Sequence, residues 1–133
     1  MNHEYIFVYG TLRRNTGESR HHLLERYPDF IGDGYVHGKL YEAGGYPGLK
    51  ISEPSKQKVY GEVYRLSDAD YVFKVLDDYE GCSDKSPEPH EYRRIQVRVH
   101  LADGRSLKAW AYEYNHPAED LELIPSGNYA DLN

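Results

Sequence analysis

Apolar and polar side chains alternate with a period of two along most of this chain, and a stripe at helical spacing interrupts them. Val59, Gly61, Val63 and Arg65 alternate with Tyr60, Glu62, Tyr64 and Leu66. Ile95, Val97, Val99 and Leu101 alternate with Arg94, Gln96, Arg98 and His100, and Leu107, Ala109, Ala111 and Glu113 alternate with Lys108, Trp110, Tyr112 and Tyr114. Such alternation marks strands with two unlike faces. Asp103-Gly104 between the last two runs predicts a hairpin. Tyr5 to Tyr9 is an unbroken β-branched and aromatic run, which predicts a buried strand bounded by Gly10. Phe30 to Tyr41 reads as one strand or two, with Gly32, Gly34 and Gly38 as places to bend or bulge. Gly44-Gly45-Tyr46-Pro47-Gly48 reads as a turn.

The helical stripe runs through Tyr71, Val72, Val75, Leu76 and Tyr79. Ser67 or Asp68 can cap it, and Gly81 falls where a left-handed C-terminal residue belongs. On this phasing Asp77 and Asp78 lie on the outer, solvated face, while Glu80 borders the apolar side. A short helix is also expected over Ser19 to Tyr27, ended by Pro28, after a polar loop from Arg13 to Arg20. Cys82 to Glu91, with Pro87 and Pro89, reads as a loop or lid. From Asn115 onward a surface-hugging tail is expected, with an apolar knot at Leu121, Leu123, Ile124 and Pro125. Roughly five or six strands and one strong helix define an α+β fold with a bent, mainly antiparallel sheet. Its glycines let it curl or close to avoid exposed edges. A chain of 133 residues fits a single domain over 1–133.

Charge and composition narrow the function. Lys and Arg number 16 against 22 Asp and Glu, a formal net charge of −6. That balance argues against nucleic acid, whose binding rests on phosphate neutralisation. It leaves room for a small anionic ligand at a locally positive site. No apolar run is long enough to cross a bilayer as a helix. The one cysteine, Cys82, cannot form an intramolecular disulfide, and Met1 to Tyr5 lacks a secretory signal's features, so a cytoplasmic setting is expected. The seven histidines, His21-His22 among them, show no paired metal-ligand spacing, so no metal is expected. Cys82 as a nucleophile would need a base such as His90, and nothing marks that pair. Size and the lack of an apolar seam suggest a monomer.

Two segments carry candidate chemistry. Tyr9-Gly10-Thr11-Leu12 follows the first strand, where Gly10 lets backbone N–H groups approach and cradle a carboxylate. The alternative is a plain turn, with Arg13 and Arg14 as ordinary surface charges. Glu80, in Leu76-Asp77-Asp78-Tyr79-Glu80-Gly81, is the candidate acid/base, against the common outcome of a solvated glutamate. Tyr46 can wall a pocket or simply shape its turn. Tyr92 and Tyr112 can turn hydroxyls into a cavity or serve as core packing. The 14 tyrosines suit both a half-polar cavity and a β-rich core.

The segments occur in a telling order: Val8-Tyr9-Gly10-Thr11-Leu12, Gly45-Tyr46-Pro47-Gly48-Leu49, Gly61-Glu62-Val63-Tyr64, Leu76 to Gly81, then Tyr92-Arg93-Arg94. This series resembles the gamma-glutamylcyclotransferase-like family, and within it the gamma-glutamylamine cyclotransferases. The resemblance runs from about Tyr5 to Tyr114, and Pro125-Ser126-Gly127-Asn128-Tyr129 is similar to the family's ending. It implies a small bent β-barrel with flanking helices, a cavity where the Tyr9–Leu12 loop holds a gamma-glutamyl group, and Glu80 as acid/base. The implied reaction releases 5-oxoproline and a free amine without metal or organic cofactor. A non-catalytic small-molecule binding protein built on the same cavity is the competing reading, and a scaffold protein with an acidic surface is a third.

Overall fold

The computed structural model describes residues 4–9, 29–43, 47–52, 56–79, 82 and 88–128, with 78 and 79 described by backbone alone. Seven strands and one helix make up this part: β1 (Glu4–Val8), β2 (Asp29–Glu42), β3 (Pro47–Ile51), β4 (Lys58–Leu66), α1 (Ala69–Tyr79), β5 (Tyr92–Leu101), β6 (Ser106–Tyr114) and β7 (Glu122–Leu123). β2, β4, β1, β6 and β5 pair in that order, and β5 returns to β2 through Gly34↔Leu101 and Tyr35↔His100. The sheet therefore closes into a five-stranded barrel. Closure leaves no free edge around the ring, the tendency expected of this bent sheet. All ring pairings are antiparallel except β1 with β6, which run parallel at Ile6↔Trp110.

β2 is one long strand with two jobs. Its first part, Asp29 to His37, pairs with β4 and carries a bulge between Phe30 and Gly32. Its second part, Gly38 to Glu42, leaves the ring and pairs with β3. The turn expected over Gly44 to Gly48 is shorter, because Pro47 and Gly48 already belong to β3; Gly44 to Tyr46 lie outside the described residues. Gly61 explains how β4 crosses β1 so closely. A Cβ there would sit 2.3 Å from the Val8 carbonyl oxygen and 2.7 Å from the Phe7 ring.

The period-two faces fill two apolar layers. Phe7, Tyr9, Val36, Leu40, Val59, Val63, Val97, Val99, Leu101, Ala109 and Ala111 pack inside the barrel, as the alternation of β4, β5 and β6 predicts. The opposite face of the strands, with Ile6, Val8, Tyr64, Leu66, Tyr112 and Tyr114, packs under α1.

α1 starts where the cap residues predict, with the Val72 N–H bonded to the Asp68 carbonyl. Its buried stripe is rotated from the expected one. Val72 and Leu76 are fully buried, but Tyr71 is 49% exposed and Phe73, outside the predicted stripe, is 5% exposed. Phe73 turns inward because the Trp110 ring meets it edge-on, with centroids 6.0 Å apart. That rotation also corrects the solvated reading of Asp77, which is drawn into contact with β5 and β6. Beyond the helix the Cys82 N–H bonds back to the Asp77 carbonyl at 2.8 Å, a six-to-one closure.

The C-terminal stretch is stitched into the sheet rather than laid over it. β7 pairs with the end of β2, the Ile124 N–H donates to the Leu40 carbonyl, and the Gly127 carbonyl accepts from Tyr60. Gly127 has a φ of +69°, and a Cβ there would overlap the Lys58 carbonyl oxygen. Among the described residues no helix is long and apolar enough to cross a membrane. The expected helix over Ser19 to Tyr27 lies outside the described residues.

Candidate functional site

β1 ends at Val8, and the chain continues through Tyr9 toward Gly10. Alternation sends the Tyr9 side chain into the barrel, where its ring stacks on Phe7 at 6.3 Å. Its hydroxyl donates to the Tyr112 carbonyl at 2.5 Å and accepts from the Leu49 N–H at 3.2 Å. Tyr9 thus pins the end of β1 to both β6 and β3. Gly10, Thr11 and Leu12, the candidate carboxylate cradle, lie outside the described residues, as do Tyr46 and Glu80.

β3 shows why such hydroxyls are placed where they are. One edge of β3 pairs with β2; along the other, three side chains occupy backbone groups. Tyr92 donates its hydroxyl to the Pro47 carbonyl (2.7 Å), Tyr9 receives the Leu49 N–H, and the Glu113 carboxylate receives the Ile51 N–H (2.9 Å). Glu113 is itself neutralised by Arg93 at 2.7 Å. These side chains stand in for a neighbouring strand and satisfy an edge that would otherwise be buried unpaired. The candidate binding tyrosines Tyr9 and Tyr92 each hold β3 through their hydroxyls.

The third described candidate, Tyr112, faces α1. It stands directly opposite Arg94 in the β5–β6 register. Both side chains converge on one carboxylate: Tyr112 donates to Asp77 Oδ1 at 2.8 Å, and Arg94 reaches Oδ1 and Oδ2 at 2.9 and 3.2 Å. The Arg94 guanidinium lies 4.3 Å from the Phe73 ring centroid and 4.9 Å from that of Trp110, and Trp110 donates to Glu4 at 2.6 Å. Two-pronged arginine bonding combined with aromatic stacking is a rigid arrangement that lysine does not reproduce. Burial first, and the bond to Asp77 second, push the Tyr112 phenol far above the usual tyrosine range. Tyr112 therefore stays a proton donor to Asp77 at any working pH.

Glu62 is a further acidic side chain in this layer. It is 2% exposed, lies opposite Val8 in the β1–β4 register, and accepts the Tyr64 hydroxyl at 2.8 Å. Alternation alone placed it on an ordinary strand face; the approach of β1 is what buries it. Asp77 and Arg94 also escaped sequence reasoning as a pair. The available signal was Tyr92-Arg93-Arg94 itself, an arginine pair on a strand, although its partner across the hairpin depends on the register of the turn. No three His, Cys, Asp or Glu side chains gather as a metal site among the described residues. His37 and His100 do meet, with ring centroids 5.1 Å apart, but against the Tyr35 ring rather than a third ligand.

This arrangement has recognisable counterparts. The family model described as Gamma-glutamyl cyclotransferase, AIG2-like, matches residues 6–131. The gamma-glutamylcyclotransferase family protein YtfP of Escherichia coli K12 is 34% identical over 128 residues, covering 95% of this chain and 96% of the relative. A protein of Methanocaldococcus jannaschii named putative gamma-glutamylcyclotransferase MJ1514 is 31% identical, over 96% of this chain and 97% of its own. The crystal structure of an AIG2-like protein (GGACT) from Mus musculus superposes with a TM-score of 0.73 at 28% identity, covering 97% of this chain and 89% of that one. With its segments in the family's order, its closed barrel and these matches over nearly its whole length, the chain belongs to the gamma-glutamylcyclotransferase, AIG2-like family.

Proposed function

We propose that this protein is a gamma-glutamyl cyclotransferase, acting on a gamma-glutamyl amine or gamma-glutamyl peptide with Glu80 as general acid/base. The substrate's free α-amine attacks its own γ-carbonyl carbon, and the new C–N bond closes a five-membered lactam. The bond from that carbon to the leaving nitrogen breaks. Glu80 takes the proton the attacking nitrogen loses and returns one to the leaving nitrogen, so 5-oxoproline and a free amine depart with no net proton change. Nucleophile and carbonyl already share one molecule, and the site's main task is to hold the folded conformer. Backbone N–H groups of Gly10, Thr11 and Leu12 are the proposed anchor for the substrate's anionic end, with Tyr46 walling the pocket.

The observation that carries the assignment is the commitment of Asp77. Asp77, Asp78 and Glu80 crowd the end of α1 and its continuation. Asp77 already accepts bonds from Arg94 on both oxygens and from Tyr112 on Oδ1, so its side chain is tied to β5 and β6. Glu80 is the family-matching carboxylate that remains. An ordinary glutamate titrates near 4.3 and an α-amine near 8, so the carboxylate must be raised by roughly 3.5 units to exchange protons efficiently. Sequestration from water can supply a shift of that size.

The test is turnover of gamma-glutamyl-lysine isopeptide, gamma-glutamyl amino acids and glutathione, followed by loss of the primary α-amine and appearance of 5-oxoproline. Wild type is expected to process at least one of them, and Glu80→Gln to lose at least a hundredfold in kcat. Full activity in Glu80→Gln would remove its role. A ligand bound and recovered unchanged would select the binding-protein reading instead.

A further inference from the structure

Asp77 sits at the last turn of α1, and side chains from two strands, Arg94 of β5 and Tyr112 of β6, hold it. The helix is followed at once by Glu80, so whatever fixes the helix end fixes the stem from which that side chain starts. We infer that Asp77, Tyr112 and Arg94 form a positioning set that locks the C-terminal end of α1 onto the β5–β6 hairpin and thereby sets the register of Glu80; this rests on the proposed cyclotransferase reading.

The geometry supports a lock more than a simple surface tie. Asp77 is gripped three ways: its two carboxylate oxygens hold Arg94, one of them also holds Tyr112, and its own carbonyl accepts the Cys82 N–H at 2.8 Å. The side chain therefore anchors the helix to the sheet while the backbone closes the helix end. Arg94 cannot swing away, because Phe73 of the same helix and Trp110 of the same sheet flank its guanidinium. Tyr112 adds a second link. Its carbonyl receives the Tyr9 hydroxyl, so the residue that bonds Asp77 through its side chain bonds the end of β1 through its backbone. One residue thus connects Tyr9, just past the end of β1, to Asp77, in the last turn of α1. Displacements of about 1 Å in such a frame can cost on the order of a hundredfold in rate. On this account the Tyr112 hydroxyl acts through Asp77 rather than on the substrate.

The test uses the full chain, with kcat and KM measured on whichever gamma-glutamyl compound turns over, beside hydrogen exchange at the Cys82 amide. Tyr112→Phe keeps the ring and removes only the hydroxyl. It is expected to lower kcat about tenfold, leave KM within twofold, and speed exchange at Cys82 at least tenfold. Asp77→Asn, which loses the ion pair to Arg94, is expected to lower kcat further with the same KM. Val99→Ala, a cavity inside the barrel away from the set, is the control for lost stability and is expected to keep kcat. A Tyr112→Phe protein with unchanged kcat, or with unchanged exchange at Cys82, would overturn the inference. So would a raised KM at constant kcat, since that is the mark of a substrate contact. Equal losses of kcat in Tyr112→Phe and Val99→Ala would reduce the set to ordinary stability. Wild type without any turnover would sink the cyclotransferase reading and the positioning role together, whereas an active wild type indifferent to Tyr112→Phe sinks the positioning role alone.

Discussion

The interior of the barrel and the layer under α1 lie on opposite faces of the same strands, and they solve the packing problem differently. Inside, the fill is mostly branched aliphatic: Val36, Leu40, Leu49, Val59, Val63, Val97, Val99 and Leu101, with Phe7 and Tyr9 as the aromatic exceptions. Under α1, Tyr64, Phe73, Tyr92, Tyr112 and Tyr114 join aliphatic residues such as Ile6, Val8, Leu66, Val72 and Leu76. Aliphatic side chains supply area and fixed rotamers and ask for no partners. Tyrosines supply area but bring a hydroxyl that must be satisfied when buried. Here those hydroxyls are used: Tyr64 bonds Glu62, Tyr92 bonds Pro47 and Tyr112 bonds Asp77. The dry layer closes the ring. The polar layer fixes how the helix and β3 sit on it.

The sharpest break in this comparison is a cavity in the dry layer. Phe7 is 1% exposed, lies on β1 and packs against Gly61. Phe7→Ala is expected to cost about 3–5 kcal/mol, measured by urea unfolding, because few neighbours can collapse into the space inside a closed ring. A loss under 1 kcal/mol would mean that the interior is loosely filled and that the helix layer carries the fold.

The strand alternation made the dry layer legible from sequence. Val59 and Val63 of β4, Val97, Val99 and Leu101 of β5, and Ala109 and Ala111 of β6 share the inward face, in keeping with the alternation. The polar layer was less legible, for two physical reasons. Helix phase is set by what lies across from the helix: Tyr71 and Phe73 are equally apolar on paper, and the Trp110 ring and Arg94 decide that Phe73 goes in. Register is set by the turn. A two-residue turn at Asp103-Gly104 would oppose Arg94 to Glu113, a plausible ion pair. The observed turn is one residue longer, closed by the Leu101 N–H to the Arg105 carbonyl, and Arg94 faces Tyr112 instead. A slip of one residue exchanges every cross-strand partner. The partners of Asp77 thus depend on a helix phase and a hairpin register together, and neither is written in Leu76-Asp77-Asp78 alone. The resemblance picked out Glu80 and the Tyr9–Leu12 loop because it draws on segment order rather than on packing.

Alkaline pH offers a gentler way to separate the layers. The Tyr112 phenol is pushed far above the usual range by burial and by Asp77, while in the unfolded chain it titrates near 10. Its folded-state value is the higher one, so its contribution is fully present below pH 10 and is lost as pH rises further, because the unfolded chain then gives up the proton first. Above pH 10 the stability attributable to Tyr112 is expected to fall by up to about 1.4 kcal/mol per pH unit. Tyr112→Phe should flatten the pH–stability curve by that slope. The curve follows from urea midpoints between pH 8 and 11, and an unchanged slope would mean that the Tyr112 hydroxyl reaches water.

The smallest effect is expected at a tie belonging to neither layer. Arg65 bonds Asp29 across the β2–β4 register, with side chains 42% and 59% exposed. The Asp29 carboxylate raises the Arg65 guanidinium further above its already high range, through a hydrogen bond first and charge attraction second. Both partners nevertheless remain in water, where attraction is weak, ordering two long side chains opposes it, and salt screens what is left. Arg65→Ala should therefore move the urea midpoint least of these variants, and the residual difference should vanish at high salt. The Arg94–Asp77 pair has the same chemistry and similar bond lengths, but it is clamped between two rings and joined by a buried phenol. If Arg65→Ala proved as damaging as Asp77→Asn, confinement would not be what separates these two ion pairs, and the special standing of the Asp77 junction would fall with it.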